Sequence, residues 1–282
     1  MKVAVVGHVE YVEFALVERV PRPGDIVHAE ESWAEAAGGG AVAAVQLAKL
    51  VGGSLFFTAL GDDELGHRSK TELEERDVLV HCEFVGKPQR RAFTFIDSSG
   101  ERTITTLGER YGPSGRHELE WDELDGADAV YFVSGDAQAL RAARRARVLV
   151  ATARSLPVLA ESGVRLDALV HSSKDSGERY NAGQLDPEPK LVVATAGSDG
   201  GTWTAGEGRT GSYSAAPLPG PVKDTYGAGD SFAASLTFAL GIGLEPERAL
   251  ELASRCAAST LTGRGAYGAQ LGADDLNLGV PR

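Results

Sequence analysis

The alternation of short apolar runs with helix-like segments constrains the fold of this chain more than any other feature. Helical patterns cover 41–50 and 64–76, and a further helical pattern runs from 224 to about 262. The runs that predict strands lie at 3–6, 55–60, 129–133, 148–151, 167–171 and 191–195. Strands that alternate with helices are typical of βαβ units, so the sequence predicts an α/β fold with a mostly parallel sheet.

Two segments interrupt this alternation. Residues 9–33 and 91–106 are rich in alternating and β-branched residues, and a turn at 98–100 makes the second segment a hairpin. We predict that the two insertions together form a small β-lid over one end of the sheet. The chain has neither repeats nor a low-complexity linker, so residues 1–282 are predicted to form a single domain.

The charge of the chain excludes some classes of partner. Its formal net charge of −12 disfavours nucleic acid and anionic membrane surfaces. No stretch approaches the roughly 18 apolar residues that are needed to span a bilayer. Cys82 and Cys256 have neither metal-ligand spacing nor a disulfide framework, and we expect buried thiols. Together these features predict a cytoplasmic protein.

The segment most informative about chemistry is 224–232, which reads Asp-Thr-Tyr-Gly-Ala-Gly-Asp-Ser-Phe and leads into an apolar helix. Gly227, Ala228 and Gly229 would let backbone N–H groups converge at the start of that helix, where the helix dipole also favours an anion. Asp230 would face the same anion and take the proton of an attacking hydroxyl group during phosphoryl transfer. The alternative is that Asp230 only caps the helix and the glycines only form a turn.

Segment 224–232 resembles the C-terminal signature Asp-Thr-x-Gly-Ala-Gly-Asp-x-Phe of the ribokinase-like (PfkB) carbohydrate kinase family. Further matches follow the order of that family along nearly the whole chain, at 21–24, 38–40, 47–50, 61–66, 99–103 and 195–200. The resemblance implies a three-layer α/β/α sandwich with a small β-lid. It also implies an ATP-dependent, Mg²⁺-using kinase that phosphorylates a hydroxyl group of a sugar, a nucleoside or a related polyol.

The resemblance further implies roles for single residues. Asp230 would be the general base, and the backbone of 227–229 would form the anion hole. Asp224 would help to bind a monovalent cation such as K⁺, together with carbonyl groups of 263–266. The residues expected near the acceptor hydroxyl group are Gly38 and Gly39, and those expected beside the nucleotide are Thr195, Gly197, Gly200 and Thr225.

The acceptor contacts of that family are altered in this chain. Where many members have an Asn one turn into the Gly-rich helix, this chain has Val42, which cannot hydrogen-bond a hydroxyl group. Glu10 and Glu13 lie where the family has an Asn-x-Asp contact. Two carboxylates beside a valine would favour a nucleoside-like, amino or deoxy acceptor and repel a sugar phosphate. The alternative is that both glutamates point along the lid into solvent.

The magnesium-associated Asn-x-x-Glu motif of the family is also altered. Asp175 and Glu178 are the best match, soon after the strand that ends at His171, and we expect them to bind the metal ion. The alternative is a solvated acidic turn.

Two other functions are weighed against a kinase. The altered acceptor and magnesium positions allow a catalytically degenerate relative that senses a nucleotide or a metabolite. A dehydrogenase is disfavoured because no Gly-x-Gly follows the first strand, and because the dinucleotide-like string at 206–211 has no following helix and predicts a hairpin turn.

Lid strands would expose an edge and an apolar face, which favours a homodimer through the lid.

Overall fold

A computed structural model describes residues 1–276. Its main sheet has nine strands in the order β13-β12-β11-β10-β9-β8-β1-β4-β5, parallel from β11 to β5 and antiparallel at β12 and β13. These strands are β1 (Val3–Val6), β4 (Ser54–Gly61), β5 (Val78–Val85), β8 (Ala129–Phe132), β9 (Val148–Thr152), β10 (Ala168–Ser172), β11 (Leu191–Thr195), β12 (Gly201–Ala205) and β13 (Thr210–Tyr213). The predicted α/β fold with a mostly parallel sheet is confirmed.

Helices cover both faces of the main sheet. They are α1 (Gly39–Val51), α2 (Glu64–Glu74), α3 (Ala137–Ala143), α4 (Leu156–Ser162), α5 (Ala228–Gly241), α6 (Pro246–Thr260) and α7 (Ala273–Leu276). Because successive side chains of a strand point to opposite faces, Val3 and Val5 join the core cluster of α1, α5 and α6. Ala4 and Val6 join the second core cluster with α3 and α4. The expected three-layer sandwich is therefore present.

The helical pattern predicted from 224 to 262 consists of two helices. A turn separates α5 from α6, because Gly243 has a φ of 86° and Pro246 begins the second helix. The helix that carries Asp230 begins at Ala228, and its residues from Ser231 to Ala239 are buried. Asp230 thus lies at the start of a helix that is buried in the core along most of its length.

A second, four-stranded sheet is formed by β2 (Glu10–Leu16), β3 (Glu31–Ala37), β6 (Arg91–Ile96) and β7 (Arg102–Leu107), in the order β3-β2-β6-β7. We call it the small sheet. It contains the segments predicted as lid insertions, with β3 extending to Ala37. Phe14 of β2 stacks on Trp33, with ring centroids 4.9 Å apart, and packs edge-on against Tyr226 at 5.1 Å. This aromatic contact joins the small sheet to the loop that precedes α5.

Two further sequence predictions concern local structure. Residues 206–208 form a short turn between the antiparallel strands β12 and β13, so the dinucleotide-like string is a hairpin turn. Cys82 and Cys256 are free thiols, and the expected burial is found for Cys256, whereas Cys82 is half-buried. Within residues 1–276, none of the helices has the length and apolar character that a membrane crossing needs.

Candidate active site

The candidate site lies at the carboxyl ends of the central parallel strands, where open α/β sheets bind their ligands. The start of α5 forms its floor. Gly227 precedes the helix with a φ of 79°, and a Cβ atom there would lie 3.0 Å from Val42 Cγ1. Apart from adjacent residues and the backbone of α5 itself, no atom of residues 1–276 lies within 4 Å of the position that a Cβ on Gly229 would take. The first N–H groups of a helix have no intrahelical partner, so this open helix start suits an anion.

Asp230 lies in the first turn of α5 and is partly exposed. Burial, followed by the charge of Glu178, raises the pKa of Asp230 to about 6, although Arg102 and Arg154 oppose the shift. A carboxylate with a pKa near 6 suits general-base chemistry at neutral pH. Gly39 lies against it, since a Cβ atom on Gly39 would be 2.7 Å from Asp230 Oδ1. The structure thus brings together the predicted base and the predicted Gly-rich turn.

The pH dependence of this carboxylate can be tested through its neighbour. We expect Glu178→Gln to move the acid limb of kcat/KM to lower pH by about one unit, because a like charge beside Asp230 is removed. The base must be ionised, so activity rises with pH through its pKa. The measurement is the pH profile of kcat/KM. Asp175→Asn is the matched control and should shift the limb less, and an equal shift in both variants would contradict the assignment.

Asp224 connects the loop before α5 to the segment that follows α6. It is 1% exposed, and its carboxylate accepts hydrogen bonds from the N–H groups of Tyr226 at 2.8 Å and Gly265 at 3.1 Å. Burial raises the pKa of Asp224. A buried carboxylate held only by N–H groups fits a neighbouring monovalent cation, as the sequence predicts for this position.

Glu10 is not the free carboxylate that the sequence led us to expect. Its Oε1 accepts a hydrogen bond of 2.6 Å from Arg90 Nε, and both side chains are about one-tenth exposed. Glu13 lies three positions after Glu10 and therefore projects from the opposite face of β2, and its carboxylate lies 3.8 Å from Arg91 Nη1. The expected pair of acids beside the acceptor is therefore absent, since one is neutralised and the other faces away.

Val42 does not line the open cleft either. It is fully buried in α1, and its side chain packs beneath Gly227. It supports Gly227 and the start of α5 from below, whereas Gly39 is half-buried beside Asp230 and Gly38 is buried. The N–H group of Gly38 donates to the hydroxyl group of Tyr226 at 3.1 Å, so the Gly-rich turn and the loop before α5 are fixed to each other.

Asp175 and Glu178, the acidic pair predicted to bind magnesium, are both paired with the guanidinium group of Arg154. Arg154 Nη2 lies 2.8 Å from Asp175, and its Nε contacts Glu178. Asp175 also accepts from the N–H group of Gly177 at 2.8 Å. No group of three or more potential metal-ligating side chains is present within residues 1–276. Asp175 and Glu178, paired in this way, do not fit a direct metal site.

The predicted nucleotide residues lie at the end of β11 and beyond it. Thr195 Oγ1 donates to the carbonyl of His171 at 3.2 Å, and Gly197 is exposed at the start of a turn. Gly200 is buried, with a φ of 80°, and a Cβ atom there would collide with the carbonyl of Tyr213, so its role is to close this turn. Thr225 Oγ1 is buried and has no hydrogen-bond partner within the described residues.

Sequence reasoning missed four arginines around the site: Arg90, Arg102, Arg110 and Arg154. Arg102, on β7, donates to the carbonyl of Thr225 at 2.9 Å. The other three act on His8, which is 7% exposed and lies 3.1 Å from Ser134 Oγ through its Nδ1. Burial and these three guanidinium groups lower the pKa of His8 to about 3, so it is neutral at physiological pH. In the sequence, the one available signal of these arginines was their position at or near the ends of predicted strands.

Comparison with known proteins agrees with this geometry. A family model described as "pfkB family carbohydrate kinase" matches residues 1–159 and 166–271. A curated relative, the ATP-dependent ribose-1-phosphate kinase of Halopiger xanaduensis, is 26% identical over 292 aligned positions that cover 95% of each chain. The solved ribokinase of Arabidopsis thaliana, complexed with ribose and ATP, has a TM-score of 0.77 at 20% identity and covers 98% of this chain and 97% of its own. Adenosine kinase from Sinorhizobium meliloti has a TM-score of 0.79 at 18% identity, with 99% of each chain covered.

Proposed function

We propose that Asp230 is the general base of this chain, which belongs to the pfkB family of carbohydrate kinases and is a phosphotransferase. With this base the chain would transfer the γ-phosphoryl group of ATP to a hydroxyl group of a small sugar, sugar phosphate or nucleoside. The acceptor class follows the relatives, which are named for ribose 1-phosphate, ribose and adenosine. The observation that carries the proposal is the position of Asp230 between the open start of α5 and Gly39.

The geometry suggests separate roles for Asp230 and for the start of α5 during phosphoryl transfer. The acceptor hydroxyl group would approach over Gly39, and Asp230 would take its proton as the new O–P bond forms. The N–H groups at the start of α5, which a helix leaves without an intrahelical partner, would stabilise the charge on a phosphoryl group transferred above the helix start. Thr195, Gly197 and Thr225 remain the proposed nucleotide contacts.

Two ions enter the proposal differently. Magnesium bound to ATP would neutralise phosphate charge, but Asp175 and Glu178 are committed to Arg154, so we assign neither a direct ligand role. Asp224 fits the neighbourhood of a monovalent cation, and we propose that K⁺ binds between it and the carbonyl groups of 263–266.

Pairing into a homodimer would use β7, an edge strand of the small sheet on which Ile104 and Leu107 are each 40% exposed.

The test is an assay of ADP release with a panel of pentoses, hexoses, their phosphates and nucleosides, in the presence of Mg²⁺ and with K⁺ varied. Release that depends on one class of acceptor and on Asp230 supports the proposal. Nucleotide binding without release for any acceptor would contradict it and favour the degenerate, nucleotide-sensing alternative.

The anion hole can be tested at Gly229. We expect Gly229→Val to fold normally, because the added Cβ would meet no atom of the described residues outside its own helix and its chain neighbours. It should lower kcat by about 10-fold or more, since bulk at the open helix start would crowd the transferred phosphoryl group. The measurements are kcat, the KM for ATP and the thermal unfolding temperature. A change in the KM for ATP alone would mean that the loop binds the nucleotide without assisting the transfer.

A further inference from the structure

Strand β3 of the small sheet lies against segment 263–266, whose carbonyl groups belong to the proposed cation site. Glu31, Trp33 and Glu35 are two positions apart along β3 and therefore share one face of the strand. Arg264 contacts two of them: its guanidinium carbon lies 4.2 Å from the centre of the Trp33 ring, and its Nη2 lies 2.9 Å from Glu31 Oε1. The third residue, Glu35, contacts the backbone of the segment.

Glu35 holds the middle of this segment. Its Oε1 accepts a hydrogen bond of 3.2 Å from the N–H group of Ala266, which has no other acceptor within residues 1–276. Gly265 permits the approach, since a Cβ atom there would lie 2.5 Å from the same oxygen and 3.1 Å from Trp33 Nε1. Only 16% of the Glu35 side chain is exposed, and burial raises its pKa. A carboxyl group kept here against that cost points to a specific role.

Asp224 holds the same stretch of backbone from the other side. It accepts from the N–H group of Gly265, so two consecutive N–H groups bind carboxyl groups from different parts of the fold. The peptide bond between Gly265 and Ala266 is trans, and in a planar trans peptide the N–H and C=O groups point in opposite directions. The hydrogen bond to Glu35 therefore also fixes the direction of the Gly265 carbonyl, one of the groups proposed to bind K⁺.

Trp33 connects this contact to the rest of the small sheet and to the loop before α5. It stacks on Phe14 of β2, and Phe14 packs edge-on against Tyr226. A shift of segment 263–266 would move the guanidinium group that lies over the Trp33 ring. Because indole fluorescence responds to nearby charge and to packing, Trp33 is a built-in reporter of the segment.

We propose that Glu35 is a positioning residue for the monovalent cation site, and that it transmits the occupancy of that site to the small sheet. This inference rests on the proposed function, of which the K⁺ site is a part. The role of Glu35 is to hold the Gly265 carbonyl in place, not to bind the cation itself. Because linkage is reciprocal, a ligand that moves β3 changes the affinity for K⁺ by the same factor as K⁺ changes the affinity for that ligand.

The test is titration of the protein with KCl, followed by tryptophan fluorescence, with choline chloride at equal ionic strength as the blank. We expect a saturable change with K⁺ alone, and we expect Trp33→Phe to remove most of it although Trp121 and Trp203 remain. Glu35→Met should raise the half-saturating K⁺ concentration by about 10-fold, because a buried N–H group loses its acceptor. Glu35→Gln should stay within about twofold of the parent protein, because its amide oxygen can still accept.

Glu31→Gln is the matched control. It removes a carboxylate from the same face of β3, but Glu31 is exposed and pairs with the side chain of Arg264, and exposed ion pairs contribute little. The variant should leave the K⁺ response unchanged. Thermal unfolding checks that each variant is folded, and Glu35→Ala replaces Glu35→Met if the methionine side chain is not accommodated.

Any of four results would overturn the inference. K⁺ gives no more change than choline, Trp33→Phe keeps the full response, or Glu35→Met leaves the half-saturating concentration unchanged. The fourth is that Glu35→Gln or Glu31→Gln weakens K⁺ binding as much as Glu35→Met, which would assign the effect to charge alone.

The inference and the proposed function fail separately. A K⁺ response of Trp33 without ADP release for any acceptor would remove the function and keep the role of Glu35. ADP release that depends on Asp230, in a protein whose fluorescence does not respond to K⁺, would keep the function and remove that role.

Discussion

Asp230→Asn is expected to lower kcat by about 10²- to 10⁴-fold, which is the usual contribution of a positioned general base. The side chain keeps its shape, and the open start of α5 is untouched, so some transfer should remain through charge stabilisation alone. The acid limb of the pH profile, expected near pH 6 in the parent protein, should disappear from the residual activity, because the group that titrates there is gone.

The measurement is steady-state kcat on the best acceptor from pH 5 to 8, with ATP affinity and thermal unfolding as controls. Both controls should match the parent protein, because Asp230 is partly exposed and its side chain makes no hydrogen bond to another side chain or backbone group within residues 1–276. A kcat close to that of the parent would refute the role of Asp230 as base. An unaltered acid limb in the variant would assign that limb to another group.

The second large effect is expected at Gly39. A Cβ atom there would lie 2.7 Å from Asp230 Oδ1 and 3.2 Å from Val133 Cγ1, so Gly39→Ala must displace the carboxylate. A base misplaced by about 1 Å loses about 10²-fold in rate, and we expect kcat to fall by that order. Stability should change little, since the carboxylate can swing toward the open cleft.

Gly86→Ala is the matched control for Gly39→Ala. Gly86 is exposed, and apart from its chain neighbours no atom of the described part of the chain lies within 4 Å of its added Cβ position. It should leave kcat and the thermal unfolding temperature unchanged. If Gly39→Ala retained full kcat, the close approach of the Gly-rich turn to Asp230 would have no part in catalysis.

The conformation of the loop that carries the proposed base could be predicted from the sequence because its residues are contiguous. The local sequence of 227–230 determines its backbone conformation, in which a residue with positive φ precedes the helix and a carboxylate falls in the first turn. The fold was equally accessible, since the period of the apolar residues distinguishes strands from helices without knowledge of their order in the sheet.

The acceptor side could not be predicted in the same way. The side chains of Glu10 and Glu13 have opposite orientations because they lie three positions apart in β2, and a shift of one residue in the pairing register would exchange their faces. The contact between Glu10 and Arg90 joins residues 80 positions apart and depends on the parallel pairing of β2 with β6. Pairing of that kind follows from the tertiary structure and leaves no local pattern in the sequence.

The burial of α5 has a consequence for how proteins with this architecture can diverge. Substitutions between Ser231 and Ala239 disturb the core, so the element that carries the base has little freedom to vary. Glu10, Arg90 and Arg110 lie on or beside the small sheet, outside the two helix layers. Substitutions at such positions leave the core around α5 intact, so the small sheet can change while the helix that carries Asp230 stays constant. The two sides of the cleft are in this sense free to diverge at different rates.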